Sequence, residues 1–400
     1  MSLDRIIELT NRKAPTELER NRDDLLKLFN SLGAESDEAY WLLEKVFRVA
    51  RITSNHRTRA SFIRSYYRTY LNDIDKDGRG SSVIIEITKR CNKGCQYCYS
   101  QPGKNIDMET TTLNQIIEFA RTNYKHIFIT GGEPTLDKRV LTICRANPDI
   151  MFFMFTNGSL IDENYAERIV ELGNLIPILS IDGSFELMHD GIMKGKGNFR
   201  QVMKAIANLN STGVPWGYLS VVTNINANDV LSPEFVRDKR EKGAILARYL
   251  EFLPVGPRAM VELIPSGEVY YLMEKRKREI INNGEIYMQD TSQEKCRGLL
   301  FFDVDGNIKN CPFFHCSKHN VSEGNILQLV KSATKDWCSA RYLGECPIYS
   351  DPQNFKNHLQ DLEWKTTVPF EEEYLSNPDV AKLMADNYRT FLAIKAAKGL

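Results

Sequence analysis

From residue 83 onward the apolar positions gather into six short, nearly continuous runs: VIIEIT (83–88), HIFIT (126–130), MFFMFT (151–156), IPILSID (176–182), WGYLSVVT (216–223) and ARYLEFL (247–253). Amphipathic segments at helical spacing separate them, among them Leu113–Arg121, Tyr165–Leu172 and Phe199–Leu209. Runs that are apolar at almost every position suit strands buried on both faces, and helices between such strands specify a parallel sheet. The pattern predicts an α/β fold of six β/α units, a partial (β/α)6 TIM-like barrel. Barrels of this kind gather their chemistry at the C-terminal strand ends.

The two flanks read differently. Residues 1–80 carry helical stripes: Leu25, Leu26, Leu28 and Phe29, then Trp41, Leu42, Leu43, Val46 and Phe47, then pairs four apart at Phe62/Ile63, Tyr66/Tyr67 and Tyr70/Leu71. Between Phe47 and Asn72 stand six arginines (Arg48, Arg51, Arg57, Arg59, Arg64 and Arg68) and no acid. Such a run is a solvated helical face or a docking surface for an anionic substrate or lipid headgroup. DKDGRG (75–80) reads as a linker. From Cys296 the composition shifts, with five of the nine cysteines in the last third. The chain thus divides into a helical N-terminal extension (1–80), a β/α core (81–295) and a small C-terminal domain (296–400).

Composition narrows the function classes. Lys plus Arg and Asp plus Glu both number 52, so no global field draws the chain to nucleic acid. No apolar run approaches the ~20 residues of a membrane span. A polar N-terminus without a secretory signal, together with an odd cysteine count, argues against a disulfide framework and for a cytoplasmic, reducing setting.

The chemistry concentrates in CNKGCQYCY, Cys91 to Tyr99, which directly follows the first strand. Cys91, Cys95 and Cys98 stand at C-x3-C-x2-C and supply three thiolates where a cubane [4Fe–4S] cluster normally has four. One iron is left for another ligand. Zinc is the alternative, but structural zinc wants four closed ligands and only Cys95-x2-Cys98 has its spacing. After the second strand comes GGEP, Gly131 to Pro134. Its glycines permit positive φ and close backbone approach to a ligand, and Glu133 adds a carboxylate.

Cys91, Cys95 and Cys98 with Tyr97 before the third cysteine, followed one strand later by Gly131, Gly132 and Glu133, resemble the signature of the radical S-adenosylmethionine (SAM) superfamily. The resemblance implies a [4Fe–4S] cluster whose open iron binds SAM, and SAM cleavage to methionine and a 5′-deoxyadenosyl radical. It implies SAM contacts at the GGE motif and at the polar strand ends: Thr156 and Asn157, Ser180 and Asp182, Thr223 and Asn224, Leu253 and Val255. Each of these is equally a turn or helix cap on residue type alone. Cys144, inside a helical segment, is expected to be a buried thiol without a ligand role.

Cys296-x9-Gly306-x4-Cys311 frames FFDVDGNIKNC, which reads as a β-hairpin turning at Asp305-Gly306. This frame, with Cys346 after ARYLGEC, resembles the SPASM/twitch auxiliary-cluster domains of many radical SAM enzymes. It implies a second [4Fe–4S] cluster on Cys296, Cys311 and Cys346. Cys316 is the fourth ligand of choice, with Cys338, His315 or an open iron as alternatives. Buried structural thiols or zinc are the plainer reading.

These features imply a radical SAM enzyme that abstracts a hydrogen from an unactivated carbon of a lipid or small metabolite, served by a reducing partner such as flavodoxin or ferredoxin. The arginine-rich segment would then allow peripheral membrane contact. The rival substrate is a peptide, as in SPASM-type peptide maturation; the rival class is a non-catalytic iron–sulfur sensor. The basic loop within HDGIMKGKGNF (189–199) has no assigned role.

Overall fold

The computed structural model describes residues 82–100, 105–124, 126–255, 260–283, 286–288, 299–340, 364–367 and 377–399, together with positions 23, 25–27, 57, 58, 60, 61, 348 and 352. The core alternates strand and helix from β1 (Ser82–Glu86) through α1 (Thr110–Asn123), β2 (His126–Thr130), α2 (Arg139–Ala146), β3 (Met151–Thr156), α3 (Glu163–Leu172) and β4 (Leu175–Ser180). It continues with α4 (Glu186–Met193), α5 (Asn198–Thr212), β5 (Trp216–Val222), α6 (Ala227–Val230), α7 (Pro233–Glu241), β6 (Ala244–Glu251), α8 (Gly267–Asn283) and β7 (Tyr287–Met288). The last part holds β8 (Leu299–Phe302), β9 (Asn307–Lys309), β10 (Cys316–Ser317), β11 (His319–Asn320), α9 (Ile326–Ala340), β12 (Lys365–Thr366) and α10 (Pro378–Lys398).

Strands β1 to β7 lie side by side in chain order, all parallel. All six apolar runs are strands, and the expected helical segments fall within α1, α3 and α5. Alternate side chains explain why the runs looked continuous. Val83, Ile85, Phe152, Met154, Trp216 and Tyr218 pack outward beneath the helices. Ile84, Phe128, Met151, Phe153, Ile178 and Leu219 form a second apolar cluster on the concave face. Each strand therefore buries both sides. Helix ends follow from local chemistry: Asp162 caps α3 by accepting from the Tyr165 amide at 2.7 Å, and Gly173 ends it in a left-handed conformation.

Four strands extend this sheet beyond the expected six, two of them in parallel. β7 adds in parallel to β6, and β8 adds in parallel to β1 on the opposite edge. β8 lies beyond residue 296, so the segment after that point supplies a strand to the core sheet. The hairpin foreseen at Asp305-Gly306 is present: β8 and β9 pair antiparallel and Gly306 turns with φ +82°. β11 follows β9, and the sheet stays open between the β11 and β7 edges.

At the N-terminus the described positions 23, 25–27, 57, 58, 60 and 61 are helical. Leu25 and Leu26 are buried. Arg57 alone of the six arginines lies among the described residues. Its guanidinium donates to the Glu171 carbonyl at 2.7 Å, and its Cβ would stand 2.2 Å from a Cβ at Gly173, the residue that ends α3. The linker at 75–80 lies outside the described residues, as do Arg48, Arg51, Arg59, Arg64 and Arg68. No helix among the described residues is long and apolar enough to cross a membrane.

Candidate active site

The loop that leaves β1 carries Cys91, Cys95 and Cys98, all half-buried, to the C-terminal edge of the sheet. Backbone bonds clamp it against the end of β2: Gly132 donates to the Thr88 carbonyl and Glu133 to the Arg90 carbonyl, both at 2.7 Å. This contact explains the paired glycines. A Cβ at Gly131 would stand 2.4 Å from the Thr88 oxygen, and one at Gly132 would stand 2.1 Å from the Arg90 oxygen. The sequence suggests that these glycines approach a ligand; in the structure they approach the backbone of the cysteine loop.

Other bonds hold the loop from the remaining sides. Asn92 donates to the Ser159 hydroxyl at 2.9 Å and accepts from the Asn157 amide at 3.0 Å. The Gln96 amide donates to the Ile192 carbonyl at the end of α4 at 3.2 Å. Lys93 reaches the first turn of α5, donating to Asn198 Oδ1 at 2.6 Å and Gln201 Oε1 at 2.5 Å. The segment around HDGIMKGKGNF, which had no assigned role, therefore packs on the cysteine loop.

The polar strand ends form a ring, but most of their side chains face one another. Glu133 is buried, and its carboxylate accepts from the Thr135 amide (3.1 Å), the hydroxyls of Thr135 and Thr156 (2.6 Å each) and the Asn157 amide (2.8 Å). Burial nevertheless raises its pKa above the usual range. Asp182 is fully buried, accepting from the Tyr97 hydroxyl at 2.7 Å and the Val221 amide at 2.8 Å. Burial pushes its pKa up to about 6. Thr223 donates to Asn226, a buried residue with no motif to mark it, and Asn226 in turn donates to the Asp182 and Val221 carbonyls. Asn224 is exposed, while Leu253 and Val255 are buried. Ser180 is half-buried at the end of β4, and its hydroxyl makes no hydrogen bond among the described residues.

His189 also escaped the sequence patterns. It is fully buried and accepts at Nδ1 from the Asp182 amide at 3.1 Å, so its proton sits on Nε2. Burial lowers its pKa to about 4.

The chemistry of the donor set decides which group fits. Burial raises the pKa of the Cys91 thiol and, more strongly, that of Cys95. An activated cysteine nucleophile shows the opposite shift, whereas a bound metal deprotonates its thiols outright. Among the described residues no three Cys, His, Asp or Glu side chains close on a single metal-ion position, as a zinc ion would require. In a four-iron cluster each thiolate takes its own iron. Three half-buried thiols on one clamped loop supply the donors that such a cluster takes.

In the C-terminal part, Cys311 and Cys316 are both buried in the concave-face apolar cluster, which also takes in Phe301, Phe314 and Ile348. Tyr99, just after the cysteine loop, meets Phe313 edge-on at 5.3 Å and stacks on the buried His315 at 6.3 Å. The hairpin is fastened by the buried pair Lys309–Asp303 at 2.8 Å. Cys296 and Cys346 lie outside the described residues, as does the side chain of Cys338. Cys144 is fully buried on the inner face of α2, among the outer apolar residues.

An open parallel sheet with a three-cysteine loop after its first strand defines the partial barrels of radical SAM proteins. Residues 85–232 match the family model of the Radical SAM superfamily, and the chain contains a radical SAM domain. Proteins of this superfamily bind a [4Fe–4S] cluster and SAM. Uncharacterized protein MJ0907 of Methanocaldococcus jannaschii is 28% identical over 282 residues, covering 65% of this chain and 94% of that protein. Mycofactocin maturase MftC of Mycolicibacterium smegmatis is 30% identical over 264 residues, covering 60% of this chain and 66% of that protein. Among solved structures, Streptococcus suis SuiB bound to its precursor peptide SuiA superimposes with a TM-score of 0.57 at 15% identity, covering 72% of this chain and 76% of SuiB. That likeness is one of fold.

Proposed function

We propose that the protein is a radical SAM enzyme in which Cys91, Cys95 and Cys98 hold the [4Fe–4S] cluster that binds SAM. The observation that carries this reading is the clamped loop: three half-buried thiols fixed at the strand ends by Gly132, Glu133, Asn92 and Gln96. When bound, the cluster supplies the electron that splits SAM into methionine and a 5′-deoxyadenosyl radical. The chain's own part is to fix the loop, to set Tyr97 and Asp182 beside Cys95, and to present the Gly131–Gly132 backbone and the Ser180 hydroxyl to the cofactor.

Cys311 and Cys316, with Cys296 and Cys346, are proposed to hold an auxiliary cluster. For the substrate we favour a peptide over a lipid. The lipid reading depended on the arginines, and Arg57 is committed to the Glu171 carbonyl. The names of similar proteins point to maturation, and SuiB was solved with a precursor peptide.

The test is anaerobic reconstitution, with iron per chain and 5′-deoxyadenosine measured after reduction in the presence of SAM. We expect about eight irons and cleavage, as two four-iron clusters require. Changing Cys91, Cys95 and Cys98 together to alanine is expected to remove half the iron and all cleavage. Cleavage that survives the triple change refutes the assignment.

A further inference from the structure

The cysteine loop holds one cation between its first two thiols, and the structure goes to some length to keep it there. Lys93 lies two residues from both Cys91 and Cys95. Its ammonium bonds two neutral amide oxygens, Asn198 Oδ1 at 2.6 Å and Gln201 Oε1 at 2.5 Å. Among the described residues it forms no ion pair. An ammonium offers only donors, so it forces the Asn198 oxygen toward itself. The buried Asn198 Nδ2 is thereby left without a hydrogen-bond partner among the described residues.

The loop before α5 is shaped for this contact. Gly195 has no Cβ where one would stand 2.5 Å from Asn198 Nδ2. Asp190 accepts from the Phe199 amide at 2.7 Å and so secures the first turn of α5. The placement is also unfavourable on its own, because Asn198 and Gln201 belong to the N-terminal turn of a helix. That end of a helix carries partial positive charge, and cations belong at the other end. Nearby negative charge is needed to offset it, and Cys95 and Cys91, followed by Glu133 and Asp190, lie in electrostatic reach of the ammonium.

We propose that Lys93, aimed by Asn198 and Gln201, is a positioning residue that sets the reduction potential of the cluster held by Cys91, Cys95 and Cys98. This rests on the radical SAM reading above. Net charge beside a cluster is one of the terms that fix its potential. The reduced cluster carries one more negative charge than the oxidised one, so a fixed cation favours reduction. The segment GIMKGKGNFRQ thereby has a function: it places a cation where one electron must arrive.

Redox titration of the reconstituted full-length protein tests this, following the EPR signal that changes on adding SAM, with iron per chain measured for every sample. At the wild-type midpoint, Lys93→Gln is expected to lower the reduced-to-oxidised ratio about tenfold, which is about 59 mV for a one-electron couple. Asn198→Asp, which places a carboxylate against the ammonium, is expected to lower it in the same direction. Lys93→Arg keeps the charge and should match wild type. Either charge-changing variant with full iron and an unchanged ratio overturns the proposal. Loss of iron from both, with Lys93→Arg intact, overturns it too, because Lys93 would then serve assembly and not potential. A wild-type protein with no SAM-responsive signal would instead count against the radical SAM reading itself.

Discussion

Replacing Gly132 by alanine tests how the cysteine loop is held. The new Cβ would stand 2.1 Å from the Arg90 oxygen, 2.6 Å from the Arg90 carbonyl carbon and 2.8 Å from the Lys89 oxygen. All three atoms are backbone, so no side chain can swing aside. The loop must move away as a unit, and the 2.7 Å bonds from Gly132 to Thr88 and from Glu133 to Arg90 open with it. Two backbone bonds at about 1 kcal/mol each, with overpacking at about 1–3 kcal/mol, give a loss of about 3–5 kcal/mol. That is a large part of the ~5–15 kcal/mol that holds a domain folded.

Gly132 lies outside the left-handed region, so the cost comes from contact and not from backbone strain. Serine should therefore fare no better than alanine. Gly191, inside α4 with nothing within 4 Å of its would-be Cβ, is the control. There alanine should gain about 0.5–1 kcal/mol from helix propensity. Denaturant unfolding of the apo proteins, followed by iron loading, reads both effects. Gly132→Ala with wild-type midpoint and full iron would refute the clamp.

The remaining predictions concern charge. His189 is held neutral down to about pH 4, whereas an unfolded histidine protonates near 6.5. Between those values the unfolded state binds the extra proton, so stability is full above pH 6.5 and is lost as pH falls through that window, by about 3 kcal/mol in all. His189→Asn keeps an acceptor for the Asp182 amide and should remove this rise with pH, leaving the opposite slope of Asp182, whose pKa of about 6 favours the folded state at the lower pH; an unchanged slope would show that another group carries it. In the hairpin, Asp303→Ala strands the buried Lys309 ammonium and frees the amides of Asp305 and Asn307. We expect a loss of about 3–5 kcal/mol, and the double change with Lys309→Met should cost less than the sum of the single changes, measured by a double-mutant cycle of unfolding free energies.

Much of the fold was legible because a parallel strand buried on both faces shows as an unbroken apolar run; MFFMFT and HIFIT mark β3 and β2 residue for residue. The Asp305-Gly306 turn was legible because only a few residue types accept its backbone. β7 and β8 were not. Two residues of β7 carry no period, and nothing local in LLFF says that its partner is β1, more than two hundred residues earlier. Lys93 escaped for the same reason: its anchors lie over a hundred residues away on α5, and lysine in a loop signals only solvent until the partner is seen.

Gly131, Gly132 and Glu133 carry a different lesson, since they were recognised at once and yet act otherwise than their residue types suggested. The glycines are required by carbonyl oxygens of the cysteine loop, and the glutamate by four donors from Thr135, Thr156 and Asn157. Each residue type is thus fully explained by contacts within the chain. What the motif leaves for a cofactor is backbone, held still by those contacts. Substituting Glu133 by glutamine should then act first on the junction of β2 with β3, because an amide in place of one carboxylate oxygen turns an acceptor of those bonds into a donor facing donors. A measured loss of fold stability in the cofactor-free protein, equal to the loss seen with SAM present, is the expected result. A loss confined to SAM binding, with unfolding unchanged, would place the carboxylate on the cofactor after all.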